Sequence, residues 1–422
     1  MKIVLLHNRY HITSGPERYL FSLERLLAER GHEVVPFSVR YAQNRPSPYD
    51  GYFVPPPGGE DARYYRELRG PLARARLFFR SVYHAPSRRL LRRLIQEERP
   101  DLAYVLIVAN VLSPSVLLAC RDAGLPIVMR LSDFHLIAPC YHFFDGSSAC
   151  ELCLHGSKWN AVRKKCLQGS ALVSLGRIAG MAVHERLGLY DAVDRFVAPS
   201  AFLRDKMIEA GIAPDRIVHI PSFTALDRPE GEHPVGDSLL FVGRLTPEKG
   251  VARLLEAWGL AGCPGELRIV GDVDSPAGEN LRADTARRGL TGVAFLGARS
   301  SREIQQLMDE ARAVVIPSLC YENAPLVALE AMASGRAVLA HRIGSLPETV
   351  LDGVSGFLSA PDDPRDLAAR IGQLMKDPAL ATELGRAGRR RAEEEYGPQR
   401  HIDRLLTLWT GLLRTRQADR DL

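Results

Sequence analysis

The sequence contains no apolar run long enough to cross a bilayer as a helix, for which about 20 residues are needed. Its opening segment, MKIVLLHN, is shorter and more strand-like than a secretory signal peptide. From these absences we expect a cytoplasmic protein without a membrane span, working in solution or at the inner face of the membrane.

Charge of either sign is not in large excess. Among 422 residues the formal net charge is +5, with 25% of residues charged and 46% apolar. These values are typical of a soluble globular protein, and the lack of a broad basic surface or binding motif disfavours nucleic acid as a partner. A chain of this length exceeds one ordinary hydrophobic core, so it predicts two domains of similar size.

The G-x-G-x-x-G fingerprint of dinucleotide-binding proteins is also missing after the first predicted strand, Met1 to His7. Instead, Gly15 follows that strand between Ser14 and Glu17. Ser14 and Glu17 have the spacing of a helix capping box, and Gly15 lets another group approach the backbone closely. The segment predicts a β-α-β unit with an open helix N-terminus, and it gives a nicotinamide cofactor little support.

The most informative stretch is 313–335, AVVIPSLCYENAPLVALEAMASG. It predicts a short buried strand and then a helix that starts near Pro325 and ends at a glycine. Asn323 is a good N-cap, so we expect the free N–H groups at the helix start to form an anion cradle. The predicted cradle comprises Asn323, Ala324, Pro325 and Leu326. Glu322 and Glu330 bracket it and could accept hydrogen bonds from ribose or sugar hydroxyls.

A second polar group follows the predicted strand Ser238 to Val242. Gly243 and Arg244 come directly after the strand, and Lys249 lies five positions beyond the arginine. Two cations beside glycines that permit close backbone approach suit a diphosphate. An isolated surface arginine and lysine are the alternative, and the two downstream carboxylates favour the diphosphate clamp.

Glu-x7-Glu in the setting YENAPLVALEAMASG, together with Gly-Arg followed by Lys-Gly, resembles the donor signature of the retaining glycosyltransferases of family 4, the group 1 glycosyl transferases. The resemblance is strongest between Phe241 and Phe357. It implies the GT-B fold, in which two Rossmann-like doubly wound domains face each other across a cleft and a C-terminal helix crosses back to the first domain. Alternating strand and helix signals predict an α/β fold independently.

This resemblance divides the chain into four parts. We expect an acceptor-side domain over 1–225, a linker over 226–237, a nucleotide-sugar-binding domain over 238–398, and a crossing helix with a tail over 399–422.

The resemblance also implies how a nucleotide-diphosphate sugar is bound without a catalytic metal or cofactor. Arg244 and Lys249 would hold the diphosphate and stabilise it as it leaves. Glu322 would bind sugar hydroxyls, and Glu330 would bind the ribose. The other donor-side positions that it implies are Gly15, Gly243, Ala298 and Arg299, the last two beside the base. Anomeric configuration would be retained, with the departing phosphate oxygen taking the acceptor proton.

One position departs from the family pattern. Many members carry His-Asp at the end of the strand that corresponds to Ile127 to Leu131, facing the transferred sugar. Here Ser132 precedes Asp133, and the nearest histidine is His135. Asp133 and His135 are candidates for acceptor positioning or proton transfer, and a capped structural loop is the alternative.

An insertion over about 138–168 contains four cysteines, including one C-x2-C pair. They are Cys140, Cys150, Cys153 and Cys166. Four thiolates can close a tetrahedral structural zinc site, and a reducing compartment disfavours disulfides. Because one C-x2-C pair is only half of a strong signature, free thiols remain the alternative, and His142 or His155 could replace a thiolate.

A basic segment between Arg63 and Arg93 interleaves arginines with aromatic and aliphatic residues. It suits contact with an anionic membrane or a phosphorylated acceptor, and a solvated helix face is the alternative. We therefore expect a sugar, lipid-linked or small-molecule acceptor, in polysaccharide or glycolipid assembly. Two other functions stay open: a nucleotide-sugar epimerase or hydrolase of the same fold, and a non-catalytic nucleotide-sugar-binding protein at the membrane.

Overall fold

The computed structural model describes residues 1–58, 70–224 and 235–421. These residues form two α/β domains, each built around a six-stranded parallel sheet. Most of the predicted linker, 226–234, lies outside the described residues. Within the described residues, no helix combines the length and the apolar character that crossing a membrane requires.

The first sheet has the strand order β2-β1-β3-β4-β5-β6. Its strands are β1 (Lys2–His7), β2 (Glu33–Phe37), β3 (Leu102–Ile107), β4 (Ile127–Arg130), β5 (Arg195–Ala198) and β6 (Ile217–His219). Its helices are α1 (Gly15–Glu29), α2 (Pro71–Val82), α3 (Ala85–Glu98), α4 (Ser115–Asp122), α5 (Asn160–Arg163), α6 (Ala171–Arg186) and α7 (Ala201–Glu209). Strands buried on both faces explain why their sequences are apolar runs and do not alternate.

The second sheet has the strand order β12-β11-β10-β7-β8-β9. Its strands are β7 (Ser238–Val242), β8 (Glu266–Val270), β9 (Val293–Gly297), β10 (Ala311–Ile316), β11 (Ala337–His341) and β12 (Gly356–Ser359). Its helices are α8 (Val251–Leu260), α9 (Pro276–Arg287), α10 (Ser301–Glu310), α11 (Leu326–Ala333), α12 (Leu346–Thr349), α13 (Pro364–Lys376) and α14 (Pro378–Glu395). Two hydrophobic clusters cover its faces.

The last helix, α15 (Pro398–Asp421), returns to the first domain, as predicted, and also takes up the residues expected as a tail. Ile402, Leu405 and Trp409 are fully buried in the core around β1 and β3. The Trp409 and Tyr104 rings lie 5.1 Å apart in an edge-to-face arrangement. Burial of this apolar face fixes the helix on the first domain.

Both sheets have a topological switch point, where successive strands are added on opposite sides. In the first sheet it lies between β1 and β3, and in the second between β7 and β10. Doubly wound sheets bind ligands beyond the carboxyl ends of the strands at such points. The loops after β7 and β10 carry the predicted donor residues, so the topology brings the two sequence signals to one place.

Candidate functional site

The loop after β7 packs directly against the loop after β10. Gly250 has φ +71°, and a Cβ atom there would lie 1.8 Å from the Pro317 carbonyl oxygen, so no other residue fits without rearrangement. The Leu319 N–H donates to the Glu248 carbonyl oxygen at 2.9 Å. These contacts fix the position of the loop that carries Arg244 and Lys249 relative to Glu322.

Lys249 and Glu322 form an ion pair in this corner. The Lys249 Nζ lies 2.6 Å from Glu322 Oε1, and Ser318 Oγ donates to the same oxygen. Burial alone would raise the pKa of Glu322, but Lys249 and these hydrogen bonds hold it below its usual value. Burial would lower the pKa of Lys249, and Glu322 raises it above its usual value. Both groups therefore stay charged at neutral pH.

Arg244 is held more loosely. Its guanidinium lies 3.1 Å from Glu248 Oε1, and its side chain is 66% exposed. It is close enough to Glu322 to help keep that carboxylate ionised. Arg244 thus presents positive charge at the open side of the corner, with its side chain accessible to a ligand.

The start of α11 differs from the prediction at Asn323. The N-cap is Pro325, which has no N–H, and the helix begins at Leu326. The Asn323 side chain donates instead to the Leu131 carbonyl oxygen, at 3.1 Å, at the end of β4 in the other domain. The capping role was therefore wrong: the Nδ2 bond turns the side chain toward the other domain, and its Oδ1, the atom that would cap, accepts no hydrogen bond among the described residues. The first-turn N–H groups of Leu326 and Val327 have no acceptor within the helix and are the donors that remain.

Glu330 meets the first domain through a residue that the sequence did not indicate. Arg18 Nη1, on α1, donates to Glu330 Oε1 at 3.0 Å. Burial raises the pKa of Glu330, and Arg18 partly opposes that rise. Nearby, a Cβ on Gly15 would lie 3.1 Å from Leu326 Cδ1, so the starts of α1 and α11 face each other closely. The capping box of Ser14 and Glu17 that begins α1 is present as predicted.

Asp133 and His135 form a pair of their own. His135 Nδ1 lies 2.5 Å from Asp133 Oδ1, and the His135 N–H donates to the same oxygen. The His135 ring is 6% exposed, whereas the Asp133 carboxylate is 40% exposed. Burial would raise the pKa of Asp133, and His135 lowers it below its usual value. Of the two candidates, Asp133 is the one that solvent or a ligand can reach, and His135 orients it.

Two further contacts across the cleft were missed. Tyr321 inserts its ring among three aromatic side chains of the first domain, with centroid distances of 4.9 to 6.4 Å: Phe134, Phe143 and Phe202. The Glu348 carboxylate accepts from the Ala201 and Phe202 N–H groups at the start of α7. A carboxylate at a helix N-terminus is a common stabilising arrangement, but its source in another domain leaves no local sequence signal.

Ala298 and Arg299 lie outside this corner. Both are exposed just after β9, and Arg299 pairs with Glu303 at 3.7 Å. Strand β8 separates them from the loop after β7. Their assignment to the base stays a prediction.

The basic segment is described only in part. Arg63, Arg66 and Arg69 lie outside the described residues. Among the rest, Arg88 and Arg93 pair with Asp122 and Glu97. The side chains of Leu72 and Phe79 on α2 are 79% and 68% exposed.

The four cysteines of the insertion are free thiols, and Cys140 is buried. Within the described part of the chain, a single group of three or more potential ligands has its ligand atoms within 4.8 Å of one another: Glu151, His155 and Glu209. The cysteine sulfurs therefore stand farther apart than zinc ligands, and the zinc site stays a prediction.

Comparison with known proteins gives matches in both domains. A family model described as a glycosyl transferase 4-like domain matches residues 14–222, and one described as glycosyl transferases group 1 matches residues 236–377. The alpha-maltose-1-phosphate synthase of Mycobacterium tuberculosis is 34% identical over 177 residues, which are 39% of this chain and 46% of that protein. The matches span less than half the length of such curated relatives.

Solved structures match along nearly the whole chain. Sucrose-phosphate synthase from Thermosynechococcus elongatus superposes with a TM-score of 0.70 at 20% identity, covering 98% of this chain and 99% of that one. Anabaena HepE, in complex with UDP and glucose, superposes with a TM-score of 0.64 at 20% identity, covering 97% and 100%. At such identity the likeness concerns the fold, and the GT-B prediction is confirmed.

Proposed function

This chain belongs to the group 1 glycosyl transferases of family 4, and from that membership we propose that it transfers a sugar from a nucleotide-diphosphate sugar to an acceptor, with retention of anomeric configuration. One observation carries the proposal. Lys249, Arg244, Glu322 and the first turn of α11 meet at the switch point between β7 and β10, facing the other domain.

Cations and helix donors at this point suit a diphosphate. Arg244 and Lys249 provide two positive charges, and the Leu326 and Val327 N–H groups provide donors aligned with the helix dipole. As the bond between the sugar C1 and the phosphate oxygen breaks, negative charge grows on the diphosphate. Charge preorganised in a partly buried corner stabilises that change without a catalytic metal.

Glu322 and Glu330 bind the sugar and the ribose of the donor, respectively. Glu322 is kept ionised by Lys249, so it accepts hydrogen bonds from the sugar hydroxyls. Glu330 lies one to two turns into α11 and accepts from the ribose, in exchange for its bond to Arg18.

Retention follows if the acceptor attacks from the face that the phosphate leaves. The acceptor oxygen bonds to the sugar C1 as the phosphate bond breaks, and the acceptor proton passes to the departing phosphate oxygen. Asp133, the exposed member of its pair, positions the acceptor from the first domain.

Exposed apolar and basic side chains on the first domain suit a lipid-linked acceptor in glycolipid or polysaccharide assembly. Helix α2 packs on α6, where Phe78 lies against Gly176. The outer faces of the two helices leave Leu72, Phe79 and Leu172 exposed, and Arg76 is exposed on α2. Such a surface binds the boundary of an anionic membrane.

A donor screen followed by one variant tests the proposed function. Thermal shifts are measured with UDP-, GDP-, ADP- and dTDP-sugars, because a ligand at 100 times its Kd stabilises by about 2.7 kcal/mol. With the best donor, Arg244→Ala should lower kcat about 100-fold, as expected for loss of one group that stabilises the developing charge. Because the Arg244 side chain is exposed, we expect its removal to change Tm little.

Arg253→Ala is the matched control, since Arg253 is an exposed arginine on α8 that pairs with Glu256. Equal kcat values in the Arg244 and Arg253 variants would refute the proposed role of Arg244 in stabilising the diphosphate. Free sugar or an epimer in an assay without acceptor would favour the hydrolase or epimerase instead, and donor binding without turnover would favour a binding protein.

A further inference from the structure

We propose that Cys140, Cys150, Cys153 and Cys166 bind one zinc ion, and that this ion holds the insertion against Tyr321, the residue that precedes Glu322. The metal site stands independently of the proposed function, whereas its effect on donor binding rests on it.

The insertion needs a cross-link because it has little regular structure. Over 138–168 it contains one four-residue helix, α5, and one isolated bridge, between Phe144 and Ala149. Segments of this length without regular structure are uncommon in compact domains unless they have a function.

Backbone in the left-handed region beside two of the cysteines also indicates a constrained loop. Tyr141 and Phe143, with φ +69° and +51°, follow Cys140, and Lys165, with φ +52°, precedes Cys166. Each such non-glycine residue is strained, and it persists where the surroundings fix it. These positions fix the backbone that directly follows Cys140 and directly precedes Cys166.

Backbone hydrogen bonds hold together the segments that carry the cysteines. The Cys150 N–H donates to the Phe143 carbonyl oxygen at 2.8 Å, and the Cys166 N–H donates to the Ala161 carbonyl oxygen at 3.0 Å. The Cys153 sulfur lies 3.9 Å from the Lys158 carbonyl oxygen. Thiolate is the form that binds metal, so binding of the ion releases the thiol protons.

The insertion packs its first and last cysteines against the first domain. Cys140 belongs to the hydrophobic core of that domain, and Cys166 packs against the same core. The sulfurs are nonetheless too far apart for zinc, with no three of the four, all described, within 4.8 Å of one another. Rotation of χ1 between staggered positions moves a sulfur by roughly 3 Å, and binding of zinc requires movement of this kind. Mutual repulsion of thiolates opposes closure until a dication offsets it.

Four thiolates select zinc and complete its tetrahedral shell, which makes a closed structural site. The neighbouring group of Glu151, His155 and Glu209 is a weaker candidate. Lys206 Nζ lies 2.6 Å from Glu151 and 2.9 Å from Glu209, so a lysine already supplies the positive charge there.

The insertion reaches the donor side through Tyr321. The centroid of the Phe143 ring, three residues after Cys140, lies 5.6 Å from the centroid of the Tyr321 ring. Since Glu322 directly follows Tyr321, an insertion folded around zinc positions the carboxylate that would bind the sugar.

Metal analysis of the full chain, purified after growth with zinc, tests the site. We expect one zinc per chain, its loss in Cys150→Ser, and full retention in Cys263→Ser, a cysteine of the second domain. Absence of zinc from the wild type, disulfides among the four cysteines, or full zinc in Cys150→Ser would overturn the proposal.

Cobalt exchange on the wild type keeps the test valid if Cys150→Ser does not fold. Thiolate ligands give intense sulfur-to-cobalt charge-transfer bands, and a site of carboxylates and imidazole does not, so absence of these bands would refute the thiolate site. Removal of the metal should also raise the donor Kd about tenfold, and Tyr321→Leu should do the same with zinc retained. Unchanged donor affinity in the metal-free protein would refute the coupling to Tyr321. Wild-type protein that binds zinc but no nucleotide sugar would instead contradict the proposed function alone.

Discussion

Glu330 has two competing partners in the proposed reaction cycle. Its carboxylate accepts from Arg18 across the cleft, and the proposal gives the same carboxylate to the ribose hydroxyls of the donor. Burial raises its pKa, so removal of the Arg18 contact without a new donor would favour the protonated form. A donor that replaces Arg18 therefore also keeps the group ionised.

Glu330→Gln should weaken binding of the nucleoside diphosphate about tenfold, because a hydrogen bond to a charged group contributes roughly 1.5–3 kcal/mol. Isothermal titration calorimetry measures the change, and Glu256→Gln, an exposed carboxylate on α8, is the control. Equal affinities in the two variants would show that the ribose does not contact Glu330.

At the scale of elements, α15 joins the two domains through a buried histidine. His401 Nδ1 lies 2.6 Å from the Pro221 carbonyl oxygen, and its Nε2 lies 2.9 Å from the Tyr19 hydroxyl. Burial lowers the pKa of His401 to about 3, and Arg130 and Arg404 act in the same direction. The helix is thus docked with this imidazole neutral.

Docking of α15 should weaken in acid. An unfolded histidine takes up a proton near pH 6.5, whereas folded His401 does not do so until about pH 3, so stability is complete above pH 6.5 and falls below it. The slope from this group approaches about 1.4 kcal/mol per pH unit. His401→Gln should lose less stability than the wild type between pH 7.5 and 5.0, measured by urea unfolding and tryptophan fluorescence.

Other buried histidines contribute to the same acid loss, since burial lowers the pKa of His7 and of His341 to about 4. His11→Gln, a partly buried histidine of the first domain, serves as control. If His401→Gln and the wild type lose equal stability over this range, another group governs the docking.

At the scale of the whole molecule, the exposed face of α2 and α6 is the surface for which we propose contact with a membrane. Leu72, Phe79 and Leu172 are between 68% and 79% exposed, whereas isolated exposed apolar residues elsewhere are ordinary. With Arg76 on the same helix, the face combines apolar anchors with positive charge.

The protein should therefore sediment with vesicles that contain anionic phosphatidylglycerol and much less with pure phosphatidylcholine. Leu72→Ser combined with Phe79→Ser should lower the vesicle-bound fraction at least about tenfold, because each buried CH₂ contributes about 0.8 kcal/mol. Leu260→Ser, an apolar residue of the second domain that is 55% exposed, is the control. Equal binding of the two variants would exclude this face.

Local sequence signals predicted the fold well and the site in part. The bounds predicted for β7 agree with the structure, and the capping box at Ser14 and Glu17 is formed. Lys249 and Glu322 are in contact, as binding of one nucleotide sugar by both residues would require. The N-cap at Asn323 failed because its side chain turns toward the other domain, where Nδ2 donates to the Leu131 carbonyl oxygen just after β4. Apart from its position one turn after Gly15, no sequence pattern indicated that Arg18 belongs to the site.

The sequence by itself determined the alternation of strands and helices, the glycines that allow close contacts, and the residue types that suit a diphosphate. Each of these depends on neighbours within a strand, a turn or a helix. The tertiary structure alone decided that Arg18 pairs with Glu330, 312 positions away, and that Tyr321 packs among aromatic residues of the other domain. Such contacts depend on how two separately folded sheets are placed, and no local pattern encodes that placement.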